Sequence, residues 1–107
     1  MPFDALTTAL ALIPHLRGPV AEIARRDPDL ARQIRRAASS IALNLTEGRE
    51  RVGGDRLHHY RIALGSASEV IAALSLAEGW GHVEAEELAD ARATLDRIRA
   101  MTWRLTR

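Results

Sequence analysis

The segment from Gln33 to Arg51, QIRRAASSIALNLTEGRER, carries polar side chains at spacings that a helix turns into a single line. Steps of three and four residues stack such side chains along one side of a helix. A helix face that only contacts solvent needs no such order, so the line indicates a specific set of contacts. We call it the polar stripe, and it consists of Gln33, Arg36, Ser40, Asn44 and Glu47.

The polar stripe has two interpretations. Ser40 and Asn44 lie beside the apolar face of the same helix, so we expect them at a boundary between helices, where buried polar groups need hydrogen-bond partners. The stripe then fixes the register and the oligomeric state of the protein. The candidate partners on the next helix are Arg61, Ser66, Ser68 and Glu69, the last of them for Arg36. The alternative is that the stripe binds a ligand or a nucleic-acid strand directly.

Arginines are the candidate nucleic-acid contacts, because every basic residue in the chain is Arg. Residues 25–61 hold nine Arg against five Asp or Glu, a net charge of +4, whereas residues 62–107 hold five against seven, a net charge of −2. Guanidinium groups bind phosphate well, although genomic base composition or solvated local ion pairs also explain the pattern. The candidates form two clusters at opposite ends of the second helix: Arg25, Arg26, Arg32 and Arg35, then Arg49, Arg51, Arg56 and Arg61.

The sequence offers little for catalysis or metal binding. The chain has no Cys, which excludes disulfides, thiolate zinc sites and cysteine nucleophiles. His58 and His59 are adjacent on a helix and diverge, while His15 lacks a second ligand one turn further on. No phosphate-binding loop or nucleophile elbow is present. We therefore expect a protein that is not an enzyme and that has no metal and no cofactor.

The N-terminus predicts a cytoplasmic protein without a membrane partner. Its first residues, Met1-Pro2-Phe3-Asp4, are acidic where a signal peptide is basic. The longest apolar run, Ala9–Ile13, is too short to span a bilayer.

Four helices in one domain, residues 1–107, are predicted to position these residues. The first contains Pro14 and Gly18-Pro19, so we expect a kink or a break between residues 14 and 19. Asp27 and Asp55 are expected to cap the second and third helices. Short connections favour an all-α, antiparallel up-down-up-down four-helix bundle. The predicted helices cover about residues 3–25, 28–51, 55–78 and 84–106.

The apolar spacing also predicts which residues face the core. In the first helix they are Leu6, Leu10, Ile13, Leu16, Val20 and Ile23. In the second they are Leu30, Ile34, Ala37, Ile41 and Leu45. In the third they are Leu57, Tyr60, Leu64, Ala67, Ile71 and Leu74. In the fourth they are Leu88, Ala91, Leu95, Ile98, Thr102 and Leu105.

Two segments resemble the motifs of a known family. The run Gln33–Gly48, QIRRAASSIALNLTEG, is similar to the pattern Q-x-R-R-A-x-x-S-I-x-x-N-x-x-E-G of the four-helix-bundle family of 23S rRNA intervening sequence proteins. The run Ile62–Glu69, IALGSASE, resembles the second motif of that family, an Ala-x-Gly-Ser segment followed by Glu. The residues that match motif positions are Arg36, Ser40, Asn44, Glu47 and Glu69.

The resemblance implies an assembly and a class of partner. The family also includes the accessory variability protein of diversity-generating retroelements, so it implies a small helical protomer that assembles into a pentameric barrel. Some members bind nucleic acid and a reverse transcriptase. The matched residues would hold the bundle or its subunit contacts together and would not form a catalytic set.

Two functions are therefore expected from the sequence. The first is a homo-oligomeric bundle that binds RNA or DNA, or a nucleic-acid enzyme such as a reverse transcriptase, through its arginines. The second is a protein-protein adaptor or scaffold of the same fold that does not touch nucleic acid. The formal net charge of only +1 favours the second.

Overall fold

The computed structural model describes residues 3–107, which form four α-helices joined by short connections. Each helix packs on the next one along the chain, and the fourth also packs on the first. Within residues 3–107 there is no strand, and the predicted all-α class with four helices is confirmed. The helices are α1 (Asp4–Arg26), α2 (Pro28–Arg49), α3 (Gly53–Gly79) and α4 (Ala89–Leu105), with a 3-10 turn at Ala85–Leu88 before α4.

α1 is one continuous helix, although it contains two prolines. Residues 14–19 are helical throughout, so the break expected as the alternative to a kink is absent. Each internal proline costs about 3 kcal/mol, but each large aliphatic side chain that leaves water contributes about 1.5–3 kcal/mol. Buried side chains lie on both sides of the prolines and offset the lost hydrogen bonds: Leu12, Leu16, Val20 and Ile23.

The first half of α1 turns a different face to the core from the predicted one. Leu10 is 56% exposed and Ile13 is 37% exposed, whereas Leu12 is fully buried together with Ala5 and Ala9. Alanines fill the positions between the larger residues, so the spacing fits more than one face. The small face permits closer helix contact, and it leaves Leu10 and Ile13 at the surface.

Asp27 fixes the start of α2 as predicted. Its side chain accepts a hydrogen bond of 3.1 Å from the backbone N–H of Leu30. Pro28 occupies the first turn, where a missing N–H breaks no helical hydrogen bond. The whole apolar stripe predicted for α2 is buried.

The prediction that Asp55 caps α3 is wrong. The helix begins at Gly53, whose φ of +61° belongs to the left-handed region that favours glycine. The residue before it, Val52, makes no side-chain cap. Asp55 lies within the first helical turn, where its carboxylate receives a hydrogen bond from Arg51 instead.

The buried face of α3 is shifted toward small residues. Three of the predicted core residues, Leu57, Leu64 and Ile71, are only half-buried. α3 is apolar on nearly every side, so periodicity alone did not select the face that contacts α2 and α4. The residues buried instead are Ala63, Ser66, Val70, Ala73 and Ala77.

By length and composition, α3 is also long and apolar enough to cross a membrane. Its most apolar window has a mean hydropathy of 1.3, and 33% of that window is buried in the protein. Single Gly, Ser and Glu residues interrupt its apolar runs, which is why the longest-run criterion overlooked it. The core helix of a soluble protein meets the same criterion, so this feature is weak support for a membrane span.

Gly81 allows the chain to reverse after α3. It has a φ of +79°, and its N–H donates to the carbonyl of Glu78 at 2.9 Å. The N–H of His82 donates to the carbonyl of Ala77, also at 2.9 Å, which completes a Schellman motif. The imidazole of His82 lies 3.5 Å from the carboxylate of Asp27, so this turn contacts the start of α2.

Candidate functional site

Part of the polar stripe forms a hydrogen-bonded chain between α2 and α3. The Oγ atoms of Ser40 and Ser66 are 2.8 Å apart. The amide nitrogen of Asn44 donates to the carbonyl of Ser40 at 2.9 Å and to its Oγ at 3.0 Å. The carbonyl of Ser40 can only accept, so the atom of Asn44 that faces it is the amide nitrogen. Oδ1 of Asn44 therefore faces Nδ1 of His59 at 2.9 Å, and Nδ1 of His59 donates. Four side chains thus join the two helices at a half-buried boundary.

The hydrogen-bonded side chains adjoin a groove between α2 and α3, which we call the polar groove. It has a volume of about 300 Å³. Arg36 and Glu69 line this groove from opposite helices. Within residues 3–107 neither makes a hydrogen bond or an ion pair, so the Arg36–Glu69 pair considered from the sequence is not formed. The remaining lining residues are Gln33, Ala37, Ser40 and Ser66.

The serine pair leaves one hydrogen-bond donor unused. Ser40 Oγ already accepts from Asn44, and one serine of the pair donates to the other. Two hydroxyl groups supply two hydrogens, and only one lies between them. The second has no acceptor within residues 3–107, and both serines line the polar groove.

At the other end of the stripe, Glu47 belongs to an ion-pair network across the connection between α2 and α3. Arg51 donates to Glu47 at 3.2 Å and to Asp55 at 2.8 Å. The hydrogen bond from Arg51 holds the pKa of Asp55 below its usual range, and the same bond raises the pKa of Arg51. Ionised Asp55 therefore stabilises the folded protein above the ordinary pKa of an Asp. This stabilisation is lost as the pH falls through the lowered pKa of Asp55.

Gly48 brings α2 and α3 into close contact beside this network. A Cβ atom at this position would lie 2.5 Å from Cε1 of Tyr60 and 2.6 Å from Cδ1. The Tyr60 ring is only 6% exposed, and its centroid lies 6.2 Å from that of Phe3. The packing of the ring therefore requires the glycine that ends the first motif.

Most of the second arginine cluster has contacts within the protomer. Arg56 donates to the carbonyl of Gly48 at 3.0 Å and to that of Arg49 at 3.1 Å, so its guanidinium caps the C-terminal end of α2. The guanidinium of Arg49 lies 5.5 Å from the centroid of the Phe3 ring. With Arg51 in its ion pairs, only Arg61 of this cluster has no partner within residues 3–107.

The first arginine cluster is more available. Arg25 pairs with Glu22 at 3.2 Å and Arg32 pairs with Asp29 at 3.0 Å, each across less than one helical turn. Exposed pairs of this kind contribute about 0–1 kcal/mol, so a phosphate group can replace the carboxylate. In the described part of the chain, Arg26 and Arg35 have no hydrogen-bond or ion-pair partner.

Sequence reasoning considered His59 only as a metal ligand and missed its contact with Asn44. Among residues 3–107, no group of three or more His, Asp or Glu side chains is arranged to hold a metal ion. The rings of His58 and His59 are 5.5 Å apart and meet edge to face. The missed pairs of Arg25, Arg32 and Arg51 had a signal in the sequence, because each joins opposite charges three or four residues apart.

The fold and these contacts define a small helical protein in which a polar chain joins α2 to α3. The sequence profile of the family described as 23S rRNA-intervening sequence protein matches residues 21–104. The matched region includes both motifs, all of α2 and α3, and nearly all of α4. The chain belongs to this family, which confirms the resemblance of its motifs. No curated protein matches the chain.

Proposed function

We propose that the protein is a non-enzymatic, homo-oligomeric helical bundle that binds RNA or DNA, or a nucleic-acid enzyme, in the cytoplasm and without a membrane partner. The observation that carries this proposal concerns Arg26, at the end of α1, and Arg35, on α2. Both are exposed, and within residues 3–107 neither has a hydrogen-bond or ion-pair partner. A guanidinium without an internal acid can bind a phosphate in a bidentate manner without first losing another contact.

The surroundings of Arg35 suit a phosphate backbone. Ser39 borders the same open surface, and its hydroxyl group can donate to a phosphate oxygen. Arg32 lies on the same helix, three residues before Arg35, in an exposed and exchangeable ion pair. We therefore assign the interface to the first arginine cluster and not to the second cluster.

We also propose that the helices run antiparallel, up-down-up-down. The partners across α2 and α3 support this arrangement, because the residue number on α3 falls as the number on α2 rises. The ordered pairs are Asp27 with His82, Ser40 with Ser66, and Asn44 with His59.

The proposed assembly is a pentameric barrel, as the family resemblance implies. Arg36 and Glu69 support a subunit contact, because both face the polar groove and lack partners within residues 3–107. A neighbouring protomer can supply the missing acid, base and hydrogen-bond acceptor. A closed ring repeats every surface, so it would join the arginines of separate protomers into a basic belt.

A second candidate function is an adaptor or scaffold that does not touch nucleic acid. The observation that favours it is that Arg49, Arg51 and Arg56 are used within the protomer. Their positive charge supports the fold, so the number of arginines overstates the phosphate-binding capacity.

A fluorescence-anisotropy titration separates the two functions. Labelled structured RNA and duplex DNA are titrated with the parent protein and with Arg32→Glu/Arg35→Glu, at low and near-physiological salt. We expect the parent to bind and the variant to bind at least about tenfold more weakly. The slope of log K against log salt concentration should be shallower by about 2 for the variant.

The matched control is Arg97→Glu/Arg104→Glu, which makes the same charge change on exposed positions of α4. It should bind nearly as well as the parent, and sedimentation velocity should show the same oligomer for all three proteins. No binding by the parent at micromolar concentration and low salt would refute the nucleic-acid function and favour the scaffold.

A further inference from the structure

A second groove, which we call the α1–α2 groove, lies between α1 and α2 outside the polar groove. It has a volume of about 430 Å³ and is open to solvent along one side. Buried aliphatic side chains form its floor, and longer or polar side chains form its rim. The floor residues are Leu16, Val20 and Ala38, and the rim residues are Ile13, Arg17, Arg35 and Ser39.

The apolar surface of this groove extends onto the exposed side of α1. Ile13 is 37% exposed and Leu10, about one turn before it, is 56% exposed. On α2, Leu43 follows Ser39 by one turn and is 65% exposed. Large aliphatic side chains that are grouped beside a groove and kept out of the core mark a surface for another molecule.

The charges around the groove define that molecule further. Arg17 and Arg35 border the groove from different helices, and within residues 3–107 neither has a hydrogen-bond or ion-pair partner. Among the described residues, 3–107, no acidic side chain lines the groove. The complementary surface therefore has apolar side chains in the middle and carboxylates beside them. Nucleic acid fits less well, because the floor offers no donor for a phosphate and no aromatic ring for a base.

We propose that the α1–α2 groove binds an acidic amphipathic helix of a partner protein. Apolar side chains three and four residues apart would pack on the groove floor and on Ile13, as in other helix-in-groove complexes. Carboxylates on the same helix would pair with Arg17 and Arg35. This site shares Arg35 and Ser39 with the proposed nucleic-acid surface and does not depend on nucleic-acid binding.

A synthetic peptide tests this proposal. The probe is a labelled, Ala-based helical peptide of about 18 residues, with Leu at three- and four-residue steps and Glu on both flanks of the Leu stripe. We expect it to bind the parent protein with a Kd of tens of micromolar. Arg17→Glu/Arg35→Glu should weaken binding by at least tenfold and should instead bind the matching peptide in which Lys replaces Glu.

Two controls separate this site from general charge effects and from the nucleic-acid surface. Arg97→Glu/Arg104→Glu changes the net charge equally on α4 and should bind the Glu peptide as the parent does. Ile13→Ser should weaken peptide binding several-fold and leave RNA binding unchanged, because serine removes apolar contact without adding charge. Circular dichroism should show the parent helix content for every variant.

Three results would overturn the proposal. The first is no binding of the Glu peptide by the parent at about millimolar concentration. The second is equal binding of that peptide by the parent and by Arg17→Glu/Arg35→Glu. The third is displacement of the peptide by RNA with no effect of Ile13→Ser, which would assign the groove to nucleic acid.

Discussion

Replacing Gly48 with Ala tests whether the close contact between α2 and α3 fixes the packing of the bundle. The added Cβ would lie 2.5 Å from Cε1 of Tyr60, about 1 Å closer than carbon atoms at their best separation. The rigid ring is buried, so it must leave its packed position beside Phe3. Overpacking of this kind costs about 1–3 kcal/mol, while exchange of Gly for Ala within a helix gains at most about 1 kcal/mol.

We therefore expect Gly48→Ala to lower the free energy of unfolding by about 1–2 kcal/mol. In a domain of this size each kcal/mol shifts Tm by roughly 4–8 °C. Thermal and urea unfolding followed by circular dichroism measure both quantities. The matched control is Gly65→Ala within α3, where an added Cβ meets no atom within 4 Å. It should raise the free energy of unfolding by about 0.5–1 kcal/mol.

A double-mutant cycle assigns the cost to the ring. In a Tyr60→Leu background the ring edge that meets the new Cβ is absent, so Gly48→Ala should become neutral or stabilising there. The coupling free energy should be about 1–2 kcal/mol. The reasoning is refuted if Gly48→Ala stabilises the protein as much as Gly65→Ala does, or if it has the same effect with and without the ring.

Two further predictions concern buried polar groups. The hydroxyl of Thr102 is fully buried and has no hydrogen-bond partner within residues 3–107, so Thr102→Val should raise the free energy of unfolding by about 1 kcal/mol in a urea titration; a lower value would show that the hydroxyl is satisfied. Asn44→Leu leaves Nδ1 of His59 without its acceptor and removes both hydrogen bonds to Ser40, so it should lower Tm and change the sedimentation coefficient. Unchanged values of both would exclude a packing role for the polar stripe.

The sequence predicts the buried residues of α2 better than those of α1 and α3, for a physical reason. In α2, polar and apolar residues are on separate sides, and every predicted core residue is buried. α3 is apolar on nearly all sides, so its buried face depends on which neighbour packs there. The alanines of α1 have the same effect, which left Leu10 and Ile13 wrongly assigned to the core.

The candidate site was predictable only where its contacts are local. Spacing along α2 identified the polar stripe and contained the signal for the pairs of Arg25, Arg32 and Arg51. The contact of His59 with Asn44 and the capping of α2 by Arg56 depend on how α3 lies against α2. Neither follows from the spacing of residues on one helix.

The contact of His82 with Asp27 joins α2 and α3 at the end opposite to their chain connection. The chain joins these helices at residues 50–52, and the contact of His82 with Asp27 joins the start of α2 to the turn after α3. Their interface is the most extensive of any helix pair in the bundle. Separation from one end leaves the two helices joined by the chain, and separation from the other end must first break the contact of His82 with Asp27. The central backbone amides of α2 and α3 should accordingly form one cooperative unit that is the last to exchange with deuterium, after the ends of α1 and α4.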